Sequence, residues 1–386
     1  MEFSYYMPAR LLIGKGQINH LHEYLPNGRK ALIVISSGKS MRANGYLEKV
    51  GEELEKGNVK WCVFDKISPN PTVAEITEGA SIAKKESCDF VVGLGGGSSM
   101  DSAKAIAIMA ANPGNYWDYI PSGTGGRKEI PYKPLPIVEI TTTAGTGSEA
   151  DPWLVVTKEE TNEKYGFGYD SSYPVLSVID PDFMMSVPEK LSAFQGFDAL
   201  FHAVESYINK NENPIGELFA LKAVEYISAF LPNVIENPKD EEARYYMALG
   251  NTLAGMVMLC TSEHSIEHAM SAYYPNLPHG AGLIMISKAY FRYFTENHAC
   301  DQRFVTLAKT MGFRDAAKPG DFIAALEKIQ QKCGVSHLKM SDYGITEEDL
   351  PKFAANAREI MGHLYADDPV SISDDTVLAI LKESFS

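Results

Sequence analysis

The apolar positions of the chain change period about halfway along. In the first half they come as short β-branched runs at residues 31–36 (ALIVIS), 59–64 (VKWCVF), 90–95 (FVVGLG), 135–141 (LPIVEIT) and 175–180 (VLSVID). Most are bounded by Gly, Pro, Asn or Asp, as strands buried on both faces of a parallel sheet are. Stretches such as 45–56 and 73–85 between them carry helical spacing, and strands separated by helices predict βαβ units. After about residue 182 the strand signal stops, and from residue 188 onward the spacing is helical. Apolar residues now recur three and four apart, as at Leu191 and Phe194, at Leu218, Leu221, Val224 and Ile227, and at Met247, Leu253 and Met256. The pattern predicts an α/β, Rossmann-like domain with a parallel sheet over residues 1–183 and an all-α domain over residues 184–386. No fixed repeat and no low-complexity linker separates the halves. A shared interface is expected, with a small-molecule site in the cleft between them.

Length and charge narrow the picture. At 386 residues the chain has room for two domains with large cores. A net charge of −15 disfavours nucleic acid and anionic membranes, both of which are met first by a basic patch. No apolar run approaches the ~18 residues of a membrane span, and the N-terminus lacks the basic flank and apolar stretch of a signal peptide. The five cysteines (Cys62, Cys88, Cys260, Cys300 and Cys333) are scattered and form no CxxC pair. A reducing, cytoplasmic location is expected.

Two small-residue turns carry candidate chemistry. Gly95-Gly96-Gly97-Ser98 follows an apolar run and opens a helix, so free N–H groups at a helix start face whatever anion approaches. The spacing is not GxGxxG, because Ser98 stands where the last glycine would be. A second turn, Thr141 to Ser148 (TTTAGTGS), also follows a strand. Together the two turns point to a dinucleotide site. Gly38-Lys39-Ser40 resembles the end of a P-loop, but the glycine that motif requires upstream is Ile33, which excludes a P-loop NTPase.

Four of the nine histidines fall between residues 202 and 279. Asp198 and His202 are four apart, as are His264 and His268, so each pair shares a helix face; His279 follows in Pro278-His279-Gly280. Any one of these is by itself an ordinary histidine. As a set, an aspartate with two or three imidazoles suits Fe(II), Zn, Mn, Co or Ni and leaves positions open for a substrate oxygen. HExxH is absent, against a metallopeptidase of that type.

With these residues in hand the chain resembles the iron-containing (group III) alcohol dehydrogenase family, within the larger group that includes glycerol dehydrogenase and dehydroquinate synthase. The resemblance runs nearly end to end. It covers Met7-Pro8, Gly14-Lys15-Gly16, Pro69-Asn70-Pro71-Thr72, the segment Gly95 to Lys104, the segment Thr142 to Glu149, Asp198 with His202, His268-Ala269-Met270 and Pro278-His279-Gly280. It implies a nicotinamide-dinucleotide domain, a helical domain holding a divalent metal, and metal ligands at Asp198, His202, His268 and His279. It also implies cofactor positions at Asn70, Gly96, Gly97, Ser98, Asp101, Thr142, Thr143, Thr146 and Lys164. Two departures stand out. The family's further histidine, four residues after the third ligand, falls on Ala272, and the step from His268 to His279 is shorter than usual. His264, one turn earlier, is expected to replace that histidine as proton relay; the alternative alignment places His264 itself on the metal.

The remaining expectations concern specificity. Many NAD-specific members of the family carry a carboxylate just after the first cofactor-domain strand, whereas this chain reads Ser36-Ser37-Gly38-Lys39-Ser40. With Ser37, Gly38, Lys39 and Ser40 there, NADP(H) is expected over NAD(H). The expected reaction is hydride transfer between a small alcohol or aldehyde and nicotinamide, with Fe2+ as first candidate metal and Zn2+, Mn2+ or Ni2+ admissible. Trp153, Met258 and His363 are expected near the substrate, and the enzyme is expected to be a homodimer. The rival readings are a metalloenzyme of the dehydroquinate-synthase or glycerol-dehydrogenase kind and a catalytically silent scaffold. A reaction of the dehydroquinate-synthase kind would need a basic pocket for a phosphorylated, carboxylated substrate, and no Lys/Arg cluster accompanies the histidines.

Overall fold

The computed structural model describes residues 2–211 and 213–385. It divides into two compact units, residues 6–187 on one side and residues 2–5 with 188–385 on the other. The junction lies four residues beyond the expected one at 183/184, because the turn after the last strand stays with the sheet. Asp180 there accepts hydrogen bonds from the Ile18 and Asp182 amides, and Phe183 stacks on Tyr46 at 4.3 Å.

The first unit contains β1 (Arg10–Ile13), α1 (Leu21–Tyr24), β2 (Lys30–Ser36), α2 (Ser40–Ala43), α3 (Tyr46–Lys56), β3 (Lys60–Ile67) and α4 (Val73–Lys85). After them come β4 (Phe90–Gly95), α5 (Gly97–Ala111), β5 (Ile137–Thr141), β6 (Leu154–Lys158), β7 (Glu163–Phe167) and β8 (Leu176–Ile179). Six strands make one parallel sheet in the order β1-β8-β5-β4-β2-β3, and β6 pairs with β7 as an antiparallel hairpin. All five predicted strands are present. β1 and the hairpin were not expected: β1 is a four-residue edge strand only partly buried, and β6 and β7 mix Lys, Glu and Thr with their apolar residues. Chain order reverses between β2 and β4, which is where open α/β sheets take ligands, beyond the C-terminal ends of the strands.

Helix α5 is buried over most of its length because it is built of Gly, Ser and Ala where it meets its neighbours. A Cβ on Gly93 would lie 3.0 Å from both Ala103 Cβ and Met100 Cα, and one on Gly79 would lie 2.3 Å from Ile106 Cδ1. These contacts bring α5 against the sheet and α4 against α5. Lys104, on α5, is fully buried and donates to Ser148 O, Ser148 Oγ, Asp151 O, Asp151 Oδ1 and Trp153 O at 2.8 to 3.1 Å, so its charge is fully hydrogen-bonded.

The second unit contains α6 (Glu189–Ile208), α7 (Pro214–Glu236), α8 (Glu241–Gly255), α9 (Ser262–Tyr273), α10 (His279–Glu296), α11 (Asp301–Thr310), α12 (Asp321–Lys332), α13 (Leu350–Met361) and α14 (Asp374–Ser384). No strand occurs among its described residues, as the 3.6-residue spacing predicts. Helix α6 runs through the middle of the unit, buried along most of its length, with α7, α8 and α10 packed on it. Helix α7 is long and apolar enough to cross a membrane by length and composition, a property the sequence reading did not anticipate. In the fold it packs Ala220, Ala223, Val224, Ile227 and Leu231 inward as one helix of the bundle.

Candidate metal centre and cofactor loops

The candidate metal centre is assembled within the helical unit by α6, α9 and α10. Asp198 and His202 lie one turn apart on α6, and both are buried. His279 is the first residue of α10, and the next residue sets how closely that helix start approaches α6. A Cβ on Gly280 would lie only 2.1 Å from the carbonyl oxygen of Phe194, one turn before Asp198, so only glycine fits. Helix α9 contributes His264 and His268.

Three imidazoles converge on one carboxylate oxygen. Asp198 Oδ1 lies 3.7 Å from His202 Nε2, 3.7 Å from His264 Nε2 and 3.4 Å from His279 Nε2. The His202 and His264 rings stack with centroids 4.4 Å apart. Asp198 Oδ1 and His264 Nε2 are both buried without a hydrogen-bond partner. Buried polar atoms are normally paired, so two orphans facing a common point, in a set of one carboxylate and three imidazoles, fit a divalent cation. Within the protein, burial works against the Asp198 charge, yet His202, His279 and His264 together hold its carboxyl well below the usual carboxylate range. Burial pushes His202 down to about 4, so this imidazole is neutral at neutral pH, the form that ligates a metal.

Two buried glutamates sit behind the histidines. Glu205 Oε1 pairs with His264 Nδ1, and Glu267 Oε2 pairs with His279 Nδ1. Burial opposes protonation of both rings, but their neighbours, Cys260, Glu205 and Asp198 for His264 and Glu267 and Asp198 for His279, raise their pKa values. A carboxylate accepting the Nδ1 proton fixes the tautomer that turns the Nε2 lone pair inward. Neither glutamate was singled out from the sequence. The signal available was position: Glu205 is three residues after His202, and Glu267 three after His264.

The two histidines of α9 are placed differently from expectation. His264, expected as proton relay, is the α9 histidine aimed at Asp198. His268, expected as ligand, has its Nδ1 3.0 Å from Met361 Sδ and its ring centroid 5.2 Å from that of His279. His268, Glu267 and His279 also present donor atoms within 4.8 Å of one another, as do His202, Cys260 and His264. Of the expected substrate residues, Met258 is half-buried after α8, and His363 is exposed, two residues beyond Met361. Trp153 lies in the first unit, 37% exposed.

In the sheet unit, three of the expected cofactor segments meet at the C-terminal ends of β3, β4 and β5. Ser98 Oγ donates to Pro69 O at 2.6 Å, tying the helix start to the segment that holds Asn70. A Cβ on Gly96 would lie 3.0 Å from Thr143 Cγ2, and one on Gly97 would lie 2.4 Å from Thr146 Cγ2, so these glycines admit the threonine loop. Thr142 is buried, and its amide donates to Gly95 O at 2.9 Å. Asp101 spends both carboxylate oxygens inside the protein, accepting from Ser148 Oγ at 2.8 Å and from the Val155 amide at 2.9 Å, which makes it an anchor for β6. Lys164 is buried on β7. At the end of β2, Ser37, Gly38, Lys39 and Ser40 are all exposed, and the carboxylate on the neighbouring strand, Asp65, pairs with Arg42 at 2.8 Å.

A parallel sheet with glycine and threonine loops at its strand ends, joined in one chain to a helical unit that carries an aspartate–histidine centre, defines a class of two-part dehydrogenases. The chain belongs to the iron-containing alcohol dehydrogenase family. The family profile described as "Iron-containing alcohol dehydrogenase" matches residues 8–181, and that described as "Fe-containing alcohol dehydrogenase family, C-terminal" matches residues 192–385. Alcohol dehydrogenase 4 of Schizosaccharomyces pombe is 31% identical, covering 99% of this chain and 89% of that one. The NAD-dependent methanol dehydrogenase of Bacillus methanolicus is 31% identical, covering 92% of this chain and 93% of that one. Among solved structures, the alcohol dehydrogenase ADH/D1 of a halo-thermophilic archaeon from a Red Sea brine pool superposes with a TM-score of 0.94 at 31% identity, covering 100% of this chain and 99% of that one. The protein is an oxidoreductase of the alcohol dehydrogenase type.

Proposed function

We propose that the protein interconverts a small primary alcohol and its aldehyde by hydride exchange with a nicotinamide dinucleotide. Asp198, His202, His264 and His279 hold the divalent metal in this reading, with Fe2+ as first candidate and Zn2+, Mn2+ or Ni2+ admissible. The observation that carries it is the convergence of three Nε2 atoms on the orphaned Asp198 Oδ1. A divalent cation in such a site supplies Lewis acidity toward a substrate oxygen.

The chain's own residues do the rest. Asp198 contributes one negative charge, so the site stays net cationic when loaded. Glu205 and Glu267 accept the Nδ1 protons and keep two ligand rings oriented. His268 takes over the relay, moving the hydroxyl proton at Nε2 while Met361 Sδ occupies its Nδ1 side. This exchange of roles also removes both departures from the family pattern. Four residues after His264 is His268, where the family's further histidine belongs, and the step to the fourth ligand lengthens to that between His264 and His279.

For the cofactor, the reading retains NADP(H) over NAD(H). Support comes from the exposed Ser37-Gly38-Lys39-Ser40 turn, which has no carboxylate, and from the pairing of Asp65 with Arg42, which offsets the nearest negative charge. The Bacillus methanolicus relative, an NAD-dependent methanol dehydrogenase, points the other way. The test is an anaerobic assay of protein reconstituted separately with each metal, using small alcohols and aldehydes with each dinucleotide. Turnover that follows metal loading is expected, with kcat/KM higher for NADPH. Absence of metal-dependent turnover would overturn the reaction, and a tenfold preference for NADH, about 1.4 kcal/mol, would overturn the cofactor preference alone.

A further inference from the structure

Outside the metal centre and the cofactor loops, one pair of side chains is arranged for chemistry of its own. Cys62 lies on β3, half-buried, and Cys88 lies buried in the turn between α4 and β4. Their sulfurs are 3.7 Å apart, although 26 residues separate them in sequence. A disulfide has an S–S distance of about 2.05 Å, so about 1.7 Å of approach closes the pair. Lys30 and Glu86 form an ion pair at 2.6 Å beside them, and the Lys30 cation acts favourably on both thiolates.

We propose that Cys62 and Cys88 are a site of reversible oxidation, closing to a disulfide when the protein meets a hydroperoxide. Reactive cysteines sit in partly exposed, electropositive surroundings next to a second cysteine that can resolve the first oxidation product. Cys62 is half-buried with Cys88 beside it, and the pull of the Lys30 cation on its thiolate exceeds the opposing effect of Glu86. The hydrogen bond from Cys88 and the Lys30 charge bring its thiol down to about 7, whereas burial pushes Cys260 up and takes Cys300 and Cys333 to about 12. Burial and the partner sulfur raise Cys88, which suits the resolving role.

The chemistry balances in two steps. The Cys62 thiolate attacks one oxygen of hydrogen peroxide, the O–O bond breaks, hydroxide leaves and Cys62 becomes a sulfenic acid. The Cys88 sulfur then attacks Cys62 Sγ, the S–S bond forms and the S–O bond breaks. The departing oxygen leaves as water with the Cys88 proton. Both thiols are oxidised and one peroxide is reduced to water. The disulfide would tie β3 to the start of β4, opposite the strand ends that carry the glycine and threonine loops.

The test uses the full-length protein loaded with Zn2+, which is redox-inert, and one equivalent of hydrogen peroxide. Thiol titration after denaturation should fall from five to three, and non-reducing peptide mapping should find a Cys62–Cys88 link that dithiothreitol reverses. Cys88→Ser should instead accumulate a Cys62 sulfenic acid that dimedone traps. Five remaining thiols, a link to another cysteine, or over-oxidation of Cys62 with Cys88 still free would overturn the proposal. The measurement on the unmutated protein decides it even where a variant fails to fold.

Discussion

The two functional regions are built on opposite principles. The helical unit presents charge without partners: a buried carboxylate oxygen, three nitrogens aimed at it, and an orphaned Nε2. The sheet unit presents loops already packed against one another, with Gly96 against Thr143, Gly97 against Thr146 and Ser98 bonded to Pro69. A cation site is preassembled when its donor atoms already converge on one point, here with the imidazoles and the Asp198 carboxylate favouring one another's charge. An anion-binding loop works through backbone N–H groups, and what must be preassembled is their curvature. Substitutions should therefore empty the first region and distort the second.

The largest effect is expected at the first. Asp198→Ala and His264→Ala should each abolish metal retention through desalting and lower kcat by a factor of 10³ or more, since turnover depends on the loaded site. His268→Ala should keep its metal and lose about 10²-fold in kcat, the size of a general acid–base contribution. Metal content by elemental analysis separates the two. Metal lost from the His268 variant and kept in the His264 variant would restore the assignment made from the sequence.

That exchange illustrates what could be read from residues alone. Period and β-branching located the five strands, and the i, i+4 pairs located α6 and α9, two of the three helices of the candidate metal centre, because those signals are local. Which of two histidines on one face of α9 points to Asp198 depends on the approach of α6 and α10. That approach is set by Gly280 against the Phe194 backbone, a contact 86 residues apart that leaves no periodic trace. The internal hydrogen bonds of Asp101 were hidden for a related reason. It lies in the glycine motif, but its partners Ser148 and Val155 arrive with β6, a strand whose polar composition hid it. The hydrogen-bonding glutamates were legible only to a search for carboxylates behind imidazoles.

An intermediate effect is expected behind the ligands. Glu267→Ala removes the acceptor for His279 Nδ1 and should weaken metal affinity by 10- to 100-fold, measured by competition with a chromophoric chelator. Glu267→Gln keeps an acceptor oxygen and should recover much of that loss. Equal affinities for all three proteins would show that the His279 orientation is set by the start of α10 alone.

The sheet unit should respond by distortion. In Gly97→Ala the new Cβ would lie 2.4 Å from Thr146 Cγ2, so the threonine loop must move, at a cost of about 1–3 kcal/mol. KM for the dinucleotide should rise about tenfold or more while metal content stays at the unmutated level. Loss of metal in this variant would break the separation between the regions.

Glu139 tests how far an orphaned carboxylate identifies a site. It lies on β5, fully buried, and both its oxygens lack partners, as Asp198 Oδ1 does. Its company is different: Gly93, Ala103 and Met100 of the sheet–helix contact, with the nearby Lys104 ammonium already held by five oxygens. Burial therefore raises its pKa well above the ordinary value of 4.5. A carboxyl raised on folding stabilises least at high pH, because the unfolded chain releases a proton that the folded one must keep. Glu139→Gln should raise the thermal midpoint progressively as pH increases above 4.5 and leave it nearly unchanged below. Glu139→Met should add a pH-independent gain, with about 1–3 kcal/mol in all near pH 8, because it also removes an unsatisfied polar group. Neither variant should alter metal content. A flat pH response would mean that Glu139 is charged and paired in solution, and orphaned oxygens alone would no longer distinguish it from Asp198.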